Sequence, residues 1–257
     1  MRLFDTHCHF DFDVFSDDFV SHLQLAHEQG VERIMIPSIG PSNWDKLLAM
    51  SAEHAGIYTA LGMHPYFLSG DSFFCFADLK KQVDAHINHL QAIGECGLDA
   101  MVDVDHEIQR QVFNAQIALA SDHQLPLILH SRKTHNEVLQ LLKKHKFSFG
   151  GVLHGFSGSY QQAMQFVELG FYIGVGGVIT YPRAQKTRKT VFDLPLENIV
   201  LETDAPDMPL MGYQGKPNHP AMLVHILSCL ANLREMDEQT IAQITWENAN
   251  QAFKICE

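Results

Sequence analysis

Two histidines flank a single cysteine near the start of the chain, His7 and His9 in the run FDTHCHF at 4–10. In an extended run side chains alternate with a period of two, so both imidazoles project to one face and one cation can take a nitrogen from each. Residues of the same chemical kind recur further along. GMHP at 62–65 carries His64, GECGLD at 94–99 carries Glu95, HSR at 130–132 opens with His130, HGFSG at 154–158 opens with His154, and ETDAP at 202–206 holds Asp204. His7, His9, Glu95, His130, His154 and Asp204 supply about as many ligands as two divalent cations sharing one bridging group require, with the ions about 3.5–4 Å apart. We expect His7, His9 and Asp204 on one cation, His130 and His154 on the other, and Glu95 between them. Mixed imidazole and carboxylate ligands suit zinc, manganese, iron or nickel better than calcium, and magnesium also serves when substrate phosphates help. Such a centre activates water and polarises a phosphoryl or carbonyl oxygen. Asp204 and Glu95 are the expected catalytic carboxylates, Asp204 taking a proton from the attacking water. His64, Tyr66 and Arg132 are expected to contact substrate oxygens, Arg132 through the planar fork that phosphate favours.

Groups so far apart in sequence need a frame that brings them to one place. Eight short β-branched or apolar runs recur along the chain, at 3–4, 31–39, 57–61, 90–94, 125–129, 151–153, 171–175 and 199–201, with amphipathic stretches between them. Ser16 with Asp17 and Asp18 opens a helix that stops at Gly30, and Pro41-Ser42 opens one that ends near Gly56. Asp105 caps a helix to about His123, Ser159 caps one ending at Gly170, and the stretch from Asp237 to Ile255 reads as a closing helix. Eight strand and helix pairs imply an α/β fold, a (β/α)8 TIM barrel, with an open doubly wound sheet as the alternative. In a barrel, catalytic groups come from the C-terminal ends of several strands, which is where the motifs fall.

The 257 residues, 46% apolar, carry no linker or repeat that divides them, so one domain over 1–257 is expected. No charged stretch leads into an apolar run at the N-terminus and no membrane-length apolar run occurs, so a cytoplasmic, membrane-free protein is expected, with a monomer as the default. The five cysteines lack a CxxC spacing and read as reduced thiols, Cys8 packing in the barrel wall. A net charge of −12 opposes a broad polyanion-binding surface, and Arg183 to Lys189 forms a concentrated basic segment, read as a solvated helix face or a local landing strip. His22, His27, His54, His86, His89, His106, His123, His135 and His145 lie in or beside helical patterns and are expected on solvated faces or in local hydrogen bonds. Asp5 either orients a ligand histidine or satisfies backbone amides.

Over nearly the whole length these motifs, from DTHCH at 5–9 through ETDAP at 202–206 to Asn248-Ala249-Asn250, resemble the TatD family of metal-dependent hydrolases. The resemblance implies a TIM-barrel hydrolase with two divalent cations on the six residues named above, and nuclease activity on DNA. Related amidohydrolase barrels often bridge their metals with a carboxylated lysine; here Glu95 stands in that position. The chain departs from the family pattern at Tyr66, where many relatives have histidine, at Gly155, where they have cysteine, and at 216–220, which reads KPNHP rather than carrying an Arg-Asn-Glu-Pro run. These departures bear on substrate more than on metals. The leading expectation is phosphodiester hydrolysis in single-stranded DNA or an oligonucleotide, with nucleic acid as partner. The alternative is a small-molecule amide, lactone, ester or phosphoester hydrolase. A non-enzymatic binding module is the third reading.

Overall fold

The alternating runs fold as alternating strands and helices. The computed structural model describes residues 1–70 and 72–256. In order they form β1 (Leu3–Asp5), α1 (Phe19–Glu28), β2 (Val31–Pro37), α2 (Trp44–Glu53), β3 (Ile57–Leu61), α3 (Ser72–His86), β4 (Ala92–Asp99), α4 (His106–His123) and β5 (Leu127–Arg132). They continue with α5 (His135–Lys144), β6 (Gly151–Leu153), α6 (Tyr160–Val167), β7 (Phe171–Val175), α7 (Gln185–Asp193), β8 (Ile199–Leu201), α8 (Leu223–Arg234) and α9 (Glu238–Ala252). The strands lie side by side in chain order, each parallel to the next. Backbone bonds just past the strand ends join the last strand to the first: Thr6 N donates to Leu201 O at 3.0 Å, Asp204 N to His7 O at 2.9 Å, and His9 N to Ala205 O at 2.7 Å. The sheet is therefore a (β/α)8 barrel rather than an open doubly wound sheet.

Apolar side chains fill the barrel interior. Phe4, Met35, Ala60, Ala92, Ile128, Val152 and Val200, one from each of seven strands, pack together and against Trp246, Ala249 and Phe253 of the closing helix segment. Strand periodicity carries this inward face on to the rim. His130 lies two residues beyond Ile128, His154 two beyond Val152, and Glu202 two beyond Val200, so each continues on the inward face. Regular alternation from Ala92 would turn Glu95 outward. A register irregularity between Ile93 and Cys96 inserts one residue relative to β5, and Glu95 faces inward instead.

Several boundaries differ from the sequence reading. Asp18, not Ser16, caps α1 by accepting from Ser21 N, because Ser16 closes a short 3-10 turn at Asp13–Phe15. β1 ends at Asp5, so His7 and His9 sit on an irregular segment beyond it, while β4 and β5 run on to Asp99 and Arg132. The reading also passed over α8, whose buried face is Leu223, Ile226, Leu227 and Leu230. Asp105 and Ser159 cap α4 and α6 as expected, and Asp237 caps α9. The five cysteines are unpaired, with Cys8 and Cys96 buried. Among the described residues no helix is long and apolar enough to cross a membrane.

Candidate metal centre

Closing the barrel brings the rim motifs together around one carboxylate. Glu95 is 1% exposed, and its two oxygens face different partners. Oε2 lies 3.1 Å from His7 Nε2 and 3.5 Å from His9 Nε2, and Asp204 Oδ1 lies 3.6 and 3.9 Å from the same two nitrogens. Oε1 lies 2.7 Å from His154 Nε2, 3.1 Å from His130 Nδ1 and 3.2 Å from His64 Nε2. The His7 and His154 rings stack at 3.9 Å, which ties the two groups to each other. The structure thus collects all six expected ligand residues and adds His64, which the sequence reading placed with substrate. Tyr66 and Arg132 line the same recess of about 350 Å³.

The seam between β8 and β1 positions the first group. Asp5, fully buried, accepts from Thr203 N at 2.9 Å, Thr203 Oγ1 at 2.5 Å and His7 N at 3.3 Å, so it satisfies backbone amides and ties the two rim segments together. Burial nevertheless pushes its carboxyl up to about 7 against those donors. Asn218 adds a second tie, donating to Thr203 O at 2.8 Å and to Met208 O at 3.3 Å. Asp204 itself sits in the left-handed region at φ 56°, a conformation aspartate tolerates better than most residues.

Three further groups fix the second set. Asp99 Oδ2 accepts from His130 Nε2 at 2.9 Å, which leaves the Nδ1 lone pair of His130 facing Glu95. Gly97, at φ 147°, lets β4 lie against β5 there: a Cβ would sit 1.9 Å from His130 O. Buried Glu202 accepts from Gly155 N, next to His154, at 2.6 Å, and burial raises its carboxyl to about 8. The sequence reading gave Asp99 and Glu202 no role, although both stand inside the motifs it used, GECGLD and ETDAP.

The electrostatics fit a cation. His130 Nδ1 lies 3.1 Å from both His64 Nε2 and His154 Nε2, and one ring proton cannot serve these contacts and Glu95 at once. His7 Nε2 and Glu95 Oε2, though 3.1 Å apart, are misaligned, so both are buried without a hydrogen-bond partner. Ligands of a tetrahedral ion with bonds of about 2.0–2.1 Å stand roughly 3.4 Å apart, close to these separations. Burial, reinforced by His154, lowers His7 to about 3. Burial works the other way on Glu95, yet His154, His64 and His7 hold it well below the usual carboxylate range. His154 is raised to about 10 despite its burial because Glu95 lies against it. The protein alone therefore balances Glu95 with a proton, which a cation would displace. Three groups of ligand atoms meet within 4.8 Å: His7, His9 and Glu95; His7, His154 and Asp204; and His64, Glu95 and His130.

Several other histidines make their contacts away from this cluster. His106 pairs with Glu137, His123 with Asp84, and His145 with Asn114, while His22 meets His219 at 3.2 Å. The basic segment divides: Arg188 turns inward to Ile179 O, and Lys189 pairs with Asp193 one turn on.

A (β/α)8 barrel with imidazoles and carboxylates gathered at this rim defines a metal-dependent hydrolase of the barrel type. The pattern described as TatD related DNase matches residues 4–254, and the chain belongs to the TatD family. The Escherichia coli K12 protein named uncharacterized metal-dependent hydrolase YjjV is 44% identical over 99% of this chain and 98% of its own. A crystal structure of that TatD homologue superposes with a TM-score of 0.95 over 99% of both chains. A Haemophilus influenzae protein, also named an uncharacterized metal-dependent hydrolase, is 38% identical over 98% of this chain and all of its own. A TatD family hydrolase from Entamoeba histolytica shares the fold at 20% identity, with a TM-score of 0.86 over 98% of each chain.

Proposed function

We propose that the protein hydrolyses phosphodiester bonds in single-stranded DNA or short oligonucleotides with two divalent cations. The observation that carries this reading is Glu95, whose two oxygens address separate groups of ligand atoms. His7, His9 and Asp204 would hold one cation and His130 and His154 the other, while His64, whose Nδ1 accepts from Tyr66 N, turns its protonated Nε2 toward Glu95. Two divalent cations, zinc, manganese, magnesium or nickel, supply positive charge for a developing oxyanion and acidify a water.

The protein's own groups do the rest. Asp204, which lines the recess beside the ligand histidines, is placed to accept a proton from the attacking water. Arg132, exposed at the mouth, presents its guanidinium to the phosphate, and Tyr66 lies on the same rim. The family description, a TatD related DNase, supports DNA as substrate.

A second reading, hydrolysis of a small amide, lactone, ester or phosphoester, is favoured by the net charge of −12, which opposes a broad polyanion-binding surface, and by the inward turn of Arg188, which removes one of the four cations of the 183–189 segment. End-labelled single-stranded oligonucleotide, incubated at low salt with metal-stripped protein reloaded with magnesium, manganese or zinc, separates the two. Metal-dependent shortening by the wild type and none by Glu95→Gln is expected. Intact oligonucleotide in every lane, with turnover of a small ester or amide, would replace the first reading by the second.

A further inference from the structure

One wall of the recess is aromatic, and the hydrolytic chemistry makes no use of it. Tyr66 is 61% exposed and Phe67 50% exposed, and both line the recess with Phe12, Arg132 and the ligand cluster. Leaving such rings in water forgoes the stabilisation that burying them would give. The fold holds them there through the cluster itself. His64 directs Nε2 at Glu95 while its Nδ1 accepts from Tyr66 N at 3.0 Å, and Phe67 N donates to His64 O at 3.1 Å. The imidazole that faces the metal position thereby fixes the turn bearing both rings. Phe67 meets Tyr66 edge-on at 5.0 Å and His64 at 5.7 Å. His9 carries a similar partner, with Phe12 stacked on it at 5.0 Å and 19°. Two of the histidines around Glu95 thus each hold a phenyl ring at the mouth.

We propose that Tyr66, Phe67 and Phe12 form a subsite for one nucleobase, placed beside the phosphate position marked by Arg132 and the metal cluster. The subsite rests on the reading of this recess as a phosphodiester site. Its occupant is a planar heteroaromatic ring joined to a phosphoryl group through a sugar. A recess of about 350 Å³ lies within the range of small-ligand pockets. Stacking on aromatic side chains tolerates any base, since every base has a π face, so the subsite would favour nucleotides without selecting sequence.

The test is binding, so that its outcome does not depend on turnover. Manganese-loaded protein is titrated calorimetrically with inorganic phosphate, 2-deoxyribose 5-phosphate and thymidine 5′-monophosphate. The nucleotide should bind about 5- to 150-fold more tightly than the sugar phosphate, the range for one stacked base. The gap should close in the Tyr66→Ala, Phe67→Ala double variant, narrow in Tyr66→Ala alone, and persist in Tyr66→Phe, which keeps the ring. Equal affinity for nucleotide and sugar phosphate, a gap untouched by the double substitution, or no nucleotide binding would each overturn the subsite. A protein that shows the ring-dependent gap yet cleaves no oligonucleotide would lose the nuclease reading and keep the subsite.

Discussion

Replacing Asp99 with asparagine should weaken metal binding by about 10- to 100-fold while leaving the fold intact. His130 is the one cluster histidine that turns Nδ1 toward Glu95, and it can do so as a ligand only if its proton sits on Nε2, where Asp99 Oδ2 accepts it at 2.9 Å. Asp99 Oδ1 is committed to Met101 N at 2.7 Å. An asparagine keeping that bond would turn its amide NH2 toward His130 Nε2, donor against donor. The ring relieves this by moving its proton to Nδ1, which blocks the ligand position. The lost factor corresponds to about 1.4–2.7 kcal/mol, in line with removing the charge-assisted part of a hydrogen bond between side chains 15% and 4% exposed. Competition with a chromophoric chelator for zinc would measure it, with circular dichroism and a thermal melt as controls for folding. Affinity within twofold of the wild type, in a folded variant, would refute the reasoning.

Two further perturbations probe the frame around the site. Asp5→Asn should cost at most about 1 kcal/mol, because burial already raises the native carboxyl to about 7 and an amide is easier to bury than a charge; Asp5→Ala, which strands Thr203 N, Thr203 Oγ1 and His7 N, should cost about 3–5 kcal/mol in urea unfolding. An asparagine variant as unstable as the alanine variant would contradict this. Burial, with His22 beside it, lowers His219 to about 4, so between pH 4 and its ordinary value the unfolded chain binds the extra proton. The stability that neutral His219 contributes is therefore present above about pH 6.5 and lost as pH falls toward 4. Allowing for partial exposure, the loss is about 1–2 kcal/mol, and the slope of stability against pH should be shallower in His219→Gln. Identical slopes would remove His219 as the cause.

The sequence revealed the barrel because period-two and helical patterns are local, and strand order in a barrel follows chain order. β3, β6, β7 and β8 fall where the pattern put them. The inward turn of Glu95 had no such signature, since it depends on the irregularity that β4 forms against β5, and alternation alone points that side chain outward. The His7 and His9 pair was recognised, yet it converges through seam bonds to residues 204 and 205 rather than through strand alternation. His64 was visible in GMHP, but its place beside Glu95 depends on how the loop after β3 folds back over the rim. The contact of His22 with His219 joins positions 197 residues apart and arises from the way the loop after β8 returns to α1, which local pattern does not encode.

The proposed centre depends on one carboxylate bridging two cations. Electron paramagnetic resonance of protein titrated with manganese tests it most directly. Two ions per chain should bind and give the spin-coupled spectrum of a bridged pair, and the coupling should vanish in Glu95→Gln. One ion per chain, or two with uncoupled spectra in the wild type, would contradict the bridge.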